Sequence, residues 1–214
     1  MSSPQPPLKL FYSPGACSFI PHVAFLEANL NADLILARVG HMTPEFISIN
    51  PKRRVSVLVL NDTEIITEMS AVLTAISSLS PETNLLGRTT LETIRVYEWL
   101  NWLSTVAHGQ ALGSIWRPER YSNDPSIYSA IREKGLETIR ECYKIINEKV
   151  AEPGTGFAVG GAFTVVDAFL ILLYCWAGRL EIDMDAQYPD YADYAKRLLG
   201  RVSVRRAREV HVDV

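Results

Sequence analysis

Cysteine is scarce in this 214-residue chain: Cys17, Cys142 and Cys175 are the three, far apart and without a C-x-x-C pair. An odd, scattered set excludes a disulfide framework and a thiolate zinc site, so a reduced compartment and no metal are expected. Long hydrophobic runs are missing too. The longest, residues 168–177, is roughly half of what a bilayer span needs, and no membrane association is expected. Positive charge is not in excess, with 21 Lys and Arg against 24 Asp and Glu and a net charge of -3. That balance argues against nucleic acid as the main partner. The opening MSSPQPP has neither an apolar stretch nor a cleavage pattern, so residues 1–7 read as a disordered lead-in and the cytoplasm as the expected location. Internal repeats and low-complexity segments are absent as well.

What is present is an ordinary globular composition, 48% hydrophobic and 21% charged, long enough for one large domain or two small ones. Leu8, Leu10 and Phe11 make a short strand that Ser13-Pro14-Gly15 breaks. From Ala16 onward, Phe19, Ile20, Val23, Ala24 and Ala28 recur at helical spacing, with Pro21 in the first turn where a missing N–H is tolerated. Residues 34–39 form a second strand, 44–49 a helical turn, and 55–60 and 64–66 a hairpin about Asn61-Asp62. A helix over residues 69–79 then ends near Pro81. The order is β-α-β-(α)-β-β-α, a compact α/β sandwich.

Past Pro81 only helices are expected. One runs over residues 90–112, with Ile94, Tyr97, Leu100 and Leu103; a second follows Pro125 and is closed by Pro153 and the glycines at 154, 156, 160 and 161. A third, almost wholly apolar, starts at Val165 and belongs at the centre of a bundle, and a fourth spans residues 189–199. Thr164 and Asp167 form a capping box before the third. The chain therefore divides into an α/β domain, 8–81, and an all-helical domain, 88–214. The basic stretch Arg201 to Arg208 suits the negative end of the last helix.

Cys17 and Ser18 fall at the start of the first helix. Unpaired N–H groups and the positive end of the helix dipole favour a thiolate there, its own or that of a bound thiol. The other reading of Cys17 is a small buried hydrophobe.

A thioredoxin-like α/β domain, followed by an all-α domain whose core helix opens with Gly160-Gly161-Ala162-Phe163-Thr164-x-x-Asp167, resembles a cytosolic glutathione S-transferase over residues 8 to about 199. Tyr12-Ser13-Pro14-Gly15-Ala16-Cys17-Ser18 is similar to the first βα turn of the bacterial beta-class members, which carry cysteine where other classes use Tyr or Ser. Glu98-Trp99-Leu100-Asn101 followed by His108 also looks like that class. The resemblance implies glutathione as co-substrate or cofactor, with Cys17, Ser18, Tyr12 and His108 near its sulfur. It implies Glu68 on the γ-glutamyl ammonium, the N–H groups of Met69 and Ser70 on the carboxylate, and Val55 paired with the cysteinyl backbone. Lys52, with Arg53 and Arg54, would attract the glycyl carboxylate, and Asn101 would reach the partner's site in a homodimer. A small apolar electrophile would lie between the domains against Trp116, Arg117 and Trp176, with Trp102 and Tyr121 adding to an aromatic lining.

Two positions depart from the family pattern. Ser56 stands where members carry a cis-proline, and Met69 stands where the helix-start pair is Glu-Ser. The implied activity is addition of the glutathione thiolate to an electrophilic carbon, either as conjugation or reversibly at a conjugated double bond, giving a cis–trans isomerase in a specialised pathway or in detoxification. Thiol exchange at Cys17 and a non-catalytic interaction domain of the same fold are the alternatives.

Overall fold

The computed structural model describes residues 7–152, 154 and 156–211. Most of the lead-in and Pro153 lie outside these. Strand β1 (Leu8–Tyr12) pairs in parallel with β2 (Asp33–Leu36) and antiparallel with β3 (Val57–Leu60), and β3 pairs antiparallel with β4 (Glu64–Thr67), in the order β2-β1-β3-β4. Leu10 stands opposite Leu34 on one side and Leu58 on the other. The alternation of side chains along a strand divides the apolar residues between two faces. Leu8, Leu10 and Leu58 join the main core under helices α1 (Phe19–Glu27) and α3 (Met69–Leu79). Phe11, Val57 and Val59 instead pack with Phe46 of helix α2 (Pro44–Ile49), so that both faces of the sheet are covered.

Both middle strands are shorter than the sequence reading. Strand β2 stops because the Val39 N–H turns to the Ser13 hydroxyl at 3.2 Å, and the Val55 carbonyl accepts the Cys17 thiol at 3.3 Å ahead of β3. A polar side chain that competes for a backbone group ends a ladder.

From Pro81 every described element is helical. The expected single helix over 90–112 is α4 (Thr90–Trp102), continued by a wide π-helical stretch, Leu103–Leu112, and then the short α5 (Gly113–Trp116). A Cβ at Gly109 would lie 2.9 Å from the Ser104 carbonyl oxygen, so the missing side chain admits the i→i+5 turn. The carbonyl of Gly109 is taken by the Tyr121 hydroxyl at 2.7 Å. Apolar spacing over ten residues does not separate this geometry from an α-helix, and Ile94, counted on the apolar face, is exposed.

Helices α1, α4 and α9 (Pro189–Leu199) pack around α7 (Val165–Ala177), in which only Tyr174 and Cys175 escape full burial; α6 (Tyr128–Ala151) reaches it through the Tyr143 hydroxyl on the Leu173 carbonyl, and α8 (Met184–Gln187) packs on α9. The capping box of α7 forms, and the buried Asp167 carboxylate does more than cap. It accepts from the Thr164 N–H at 2.6 Å, the Thr164 hydroxyl at 3.0 Å, the Ala158 N–H at 3.0 Å and the Tyr194 hydroxyl. Burial pushes this carboxyl upward while the four donors pull it back.

One core runs through both halves of the chain, from Leu10 and Phe19 to Leu100 and Phe169. Helix α10 (Val202–Val210) returns to α1, where Glu27 takes a two-pronged contact from Arg201 at 2.9 and 2.8 Å and a bond from the Ser203 hydroxyl. Beyond α10, buried His211 packs against Tyr12, Phe19 and His22 with ring centroids 5.4, 5.7 and 5.5 Å away. No described helix is long and apolar enough to cross a membrane.

Thr164→Ala should lower the unfolding free energy by about 1 kcal/mol in urea denaturation, with no change in the chemistry of the folded protein. Burial holds His22 down to about 4, with Arg206 adding to it, and His211 to about 4, with His22 adding to it and the Ser13 backbone opposing. The unfolded chain therefore binds more protons, and stability should fall as pH drops from about 6.5 toward 4. The double variant His22→Phe and His211→Phe should flatten that slope; an unchanged slope in urea midpoints between pH 7 and 5 would refute the assignment.

Candidate functional site

The turn between β1 and α1 is closed on itself. The Ser18 hydroxyl accepts from the Ser13 N–H at 3.0 Å and donates to the Ser13 carbonyl at 3.2 Å, and Gly15 takes φ 67°, which its missing Cβ permits. Ser18 is fully buried and its hydroxyl is engaged within the turn. From the helical side, Trp176 Nε1 and Arg179 Nη1 both donate to the Gly15 carbonyl, each at 3.1 Å. This double contact fixes the segment bearing Cys17 against the end of α7.

Of the two thiolates considered for the helix start, that of Cys17 itself is disfavoured by burial. Its thiol is pushed up to about 11, because loss of solvation outweighs the backbone N–H and the positive field of Arg54. Helix α1 begins two residues later at Phe19, and the Cys17 sulfur donates to the Val55 carbonyl instead of resting on helix N–H groups. The Val55–Ser56 peptide bond is cis.

A second shoulder comes from the start of α3. Glu68 holds φ 72° and ψ 133°, a conformation that costs an L residue of order 1–3 kcal/mol and recurs at ligand-holding sites. No side chain caps the helix, which leaves the first N–H groups, those of Met69 and Ser70, open to an anion. Lys52 and Glu68 meet each other at 2.5 Å, both exposed, and Lys52 also reaches the Thr67 hydroxyl at 2.7 Å.

The opposite wall is aromatic. His108, on the π-helical stretch, lies 5.4 Å from the Trp176 ring and 6.4 Å from Phe169, and Trp116 stands edge-on to Trp176 at 5.1 Å. Burial first, then Arg54 and Arg120, lower His108 to about 4, so its imidazole is neutral at pH 7.

Direct contacts thus link Cys17 to Val55, the Cys17 turn to Trp176, and Trp176 to His108 and Trp116, with Arg117 next to Trp116 in the chain. Other expected residues make contacts outside this set. The Tyr12 ring packs on His211, and Asn101 is exposed on α4, its carbonyl holding the Thr105 hydroxyl at 2.7 Å. Trp102 packs on Trp99, with centroids 5.6 Å apart. Sequence reasoning passed over Arg120, Arg179 and His211. No local pattern marks them, and only the tertiary contacts bring them in.

The chain was compared with known proteins. Residues 119–201 match the family model described as glutathione S-transferase, C-terminal domain. A curated relative, glutathione S-transferase GstA of Escherichia coli O157:H7, is 26% identical over 206 residues, covering 94% of this chain and 96% of the relative. The crystal structure of a glutathione transferase from Methylococcus capsulatus strain Bath superposes with a TM-score of 0.85 at 30% identity, covering 97% of this chain and 100% of that one. The chain belongs to the glutathione transferase family. A bacterial beta-class glutathione S-transferase from Sphingomonas chungbukensis is similar as well, with a TM-score of 0.84, 27% identity, and 96% and 100% coverage. Membership accounts for the join between a mixed sheet and a helical bundle, and for where the Cys17 turn sits.

With its thiol near 11, Cys17 should react with iodoacetamide at pH 7.5 more slowly than free glutathione does. Peptide mass spectrometry that finds Cys17 alkylated within minutes in folded protein would contradict this burial.

Proposed function

We propose that the chain is a glutathione-dependent transferase which delivers the glutathione thiolate to a small electrophile. The observation that carries the reading is the double contact on the Gly15 carbonyl, because it holds the Cys17 turn facing the wall that bears His108. Glutathione supplies the nucleophilic sulfur. Glu68 meets its ammonium, exchanging Lys52 for it, and the open N–H groups of Met69 and Ser70 hold its γ-glutamyl carboxylate. Val55 pairs with the cysteinyl backbone, as an added strand would. Neutral His108 is a proton acceptor at pH 7, and the cation Arg54 favours a thiolate near Cys17. Ser18 serves by fixing the turn. Tyr12 stands at the exit of β1, directly before it.

Trp116 and Trp176 give the electrophile an apolar wall, with Arg117 at its edge. An electrophile with a leaving group is conjugated on this wall. At a conjugated double bond, addition followed by rotation and release isomerises the substrate and returns glutathione unchanged. Thiol exchange at Cys17 is the weaker option, since a buried thiol pushed to about 11 is a poor nucleophile. A two-fold homodimer belongs to the proposal. Leu91 and Ile94 are 63% and 57% exposed on the same helix as Asn101, which is what a covered helix face requires.

Calorimetric titration with glutathione should show one site per chain, and Glu68→Gln should weaken it by about fivefold or more. His108→Gln should reduce kcat/KM by about tenfold or more toward chlorodinitrobenzene, a larger loss than Cys17→Ala causes. Absence of glutathione binding by folded protein would sink the proposal, and a sedimentation mass near 23.9 kDa would remove the dimer from it.

A further inference from the structure

Three arginines flank the site residues in the chain, Arg54 and Arg120 exposed and Arg117 half-buried. Arg54 immediately precedes Val55, whose carbonyl holds the Cys17 thiol, and the Asn50 side-chain amide fixes the carbonyl of Arg54 at 2.7 Å. Arg117 and Arg120 come from the helical side, on the short turn after Trp116. That turn is set by backbone bonds from the Arg117 N–H to the Gly113 carbonyl at 2.9 Å and from the Arg120 N–H to the Arg117 carbonyl at 3.0 Å. Tyr121 ties it back to Gly109, the residue after His108, at 2.7 Å. Contacts run from Val55 to Cys17 at 3.3 Å, from the Cys17 turn at Gly15 to Trp176 at 3.1 Å, and from Trp176 to His108 and Trp116, so the neighbours of Arg54 and of Arg117 form one connected set; the field of Arg54 on Cys17, His108 and Arg120 agrees with this. No described ion pair includes Arg54, Arg117 or Arg120, and Glu119 is the one carboxylate acting on Arg120. The nearest imidazole is neutral, and the remaining wall is tryptophan.

Like charges gathered beside an apolar wall raise the local potential and attract an anion, and arginine's planar fork suits a carboxylate. We infer that the electrophile is a carboxylate-bearing molecule, its anionic group held by Arg117, Arg120 and Arg54 and its apolar part laid on Trp116 and Trp176. This rests on the transferase reading above and adds an anionic group to the small apolar electrophile expected from sequence. The carboxylate of glutathione's own glycine has the same chemistry, so the test must tell the two sources apart.

The first measurement is quenching of tryptophan fluorescence by dinitrobenzoate and by dinitrobenzene, without glutathione. The benzoate should bind about tenfold or more tighter, with the advantage shrinking as salt is added. The double variant Arg117→Gln and Arg120→Gln should lose most of that ratio, while Arg117→Lys with Arg120→Lys retains part of it; circular dichroism and melting establish that each is folded. The second measurement is turnover of chlorodinitrobenzoate against chlorodinitrobenzene. The carbon–sulfur bond forms, chloride leaves with its bonding pair, and the thiol proton passes to base. The kcat/KM ratio should favour the benzoate and fall by about tenfold in the double glutamine variant.

Equal affinity for the two probes, or a ratio untouched in that variant, overturns the inference. So does a variant that loses only glutathione affinity, which would assign the arginines to the glycyl carboxylate. Preference for the benzoate in a protein that fails to bind glutathione would leave the anion site standing and refute the transferase reading alone.

Discussion

A single carbonyl oxygen, that of Gly15, links the two halves of this molecule where the chemistry is placed. The indole of Trp176 and the guanidinium of Arg179 donate to it together. A buried acceptor with two donors, one of them charged, tolerates little displacement. Since Cys17 follows two residues later and donates to Val55, the same contact sets the segment that leads into β3 against the aromatic wall. Trp176 also touches His108 and Trp116, so one side chain registers the turn, the imidazole and the apolar lining against one another.

That arrangement requires a rigid α7. Its faces are almost entirely buried, and an apolar helix so enclosed has no water to satisfy its first N–H groups. The Val165 N–H goes instead to the Leu85 carbonyl at 3.0 Å and the Asp167 N–H to Thr164, while the Asp167 carboxylate gathers donors from Thr164, Ala158 and Tyr194 and so ties α9 to the start of α7. Desolvation prevails at all three groups, raising Asp167 against its four donors, raising Cys17 and lowering His108. Cys17 and His108 are therefore neutral groups lying in the field of Arg54.

Fold class was legible because its signals are short-range. Period-two apolar residues at Leu8 and Leu10, the breaker Ser13-Pro14-Gly15, and the change to helical spacing after Pro81 each act over a few positions. The candidate site was legible in part. Residues marked by motif, such as Cys17, His108 and Trp176, do gather, whereas Tyr12 faces His211 and Lys52 pairs with Glu68. Nothing in a local pattern indicates which way such a side chain turns, because the partner that decides it lies elsewhere in the chain. The widening at Leu103–Leu112 was equally hidden, since an apolar stripe that short fits either helical pitch.

By itself, then, the sequence determined the elements, their order, the cap at Thr164 and the chemistry-bearing residues available. Backbone sterics, period and turn chemistry act between neighbours in the chain. Only the tertiary structure decided the burial of Cys17, the inward bond of Ser18, the seat of His211 and the reach of the Arg54 field to Cys17 and His108. Desolvation and electrostatic fields depend on groups brought together by folding, and the donor and acceptor that hold this site, Trp176 and Gly15, are 161 positions apart.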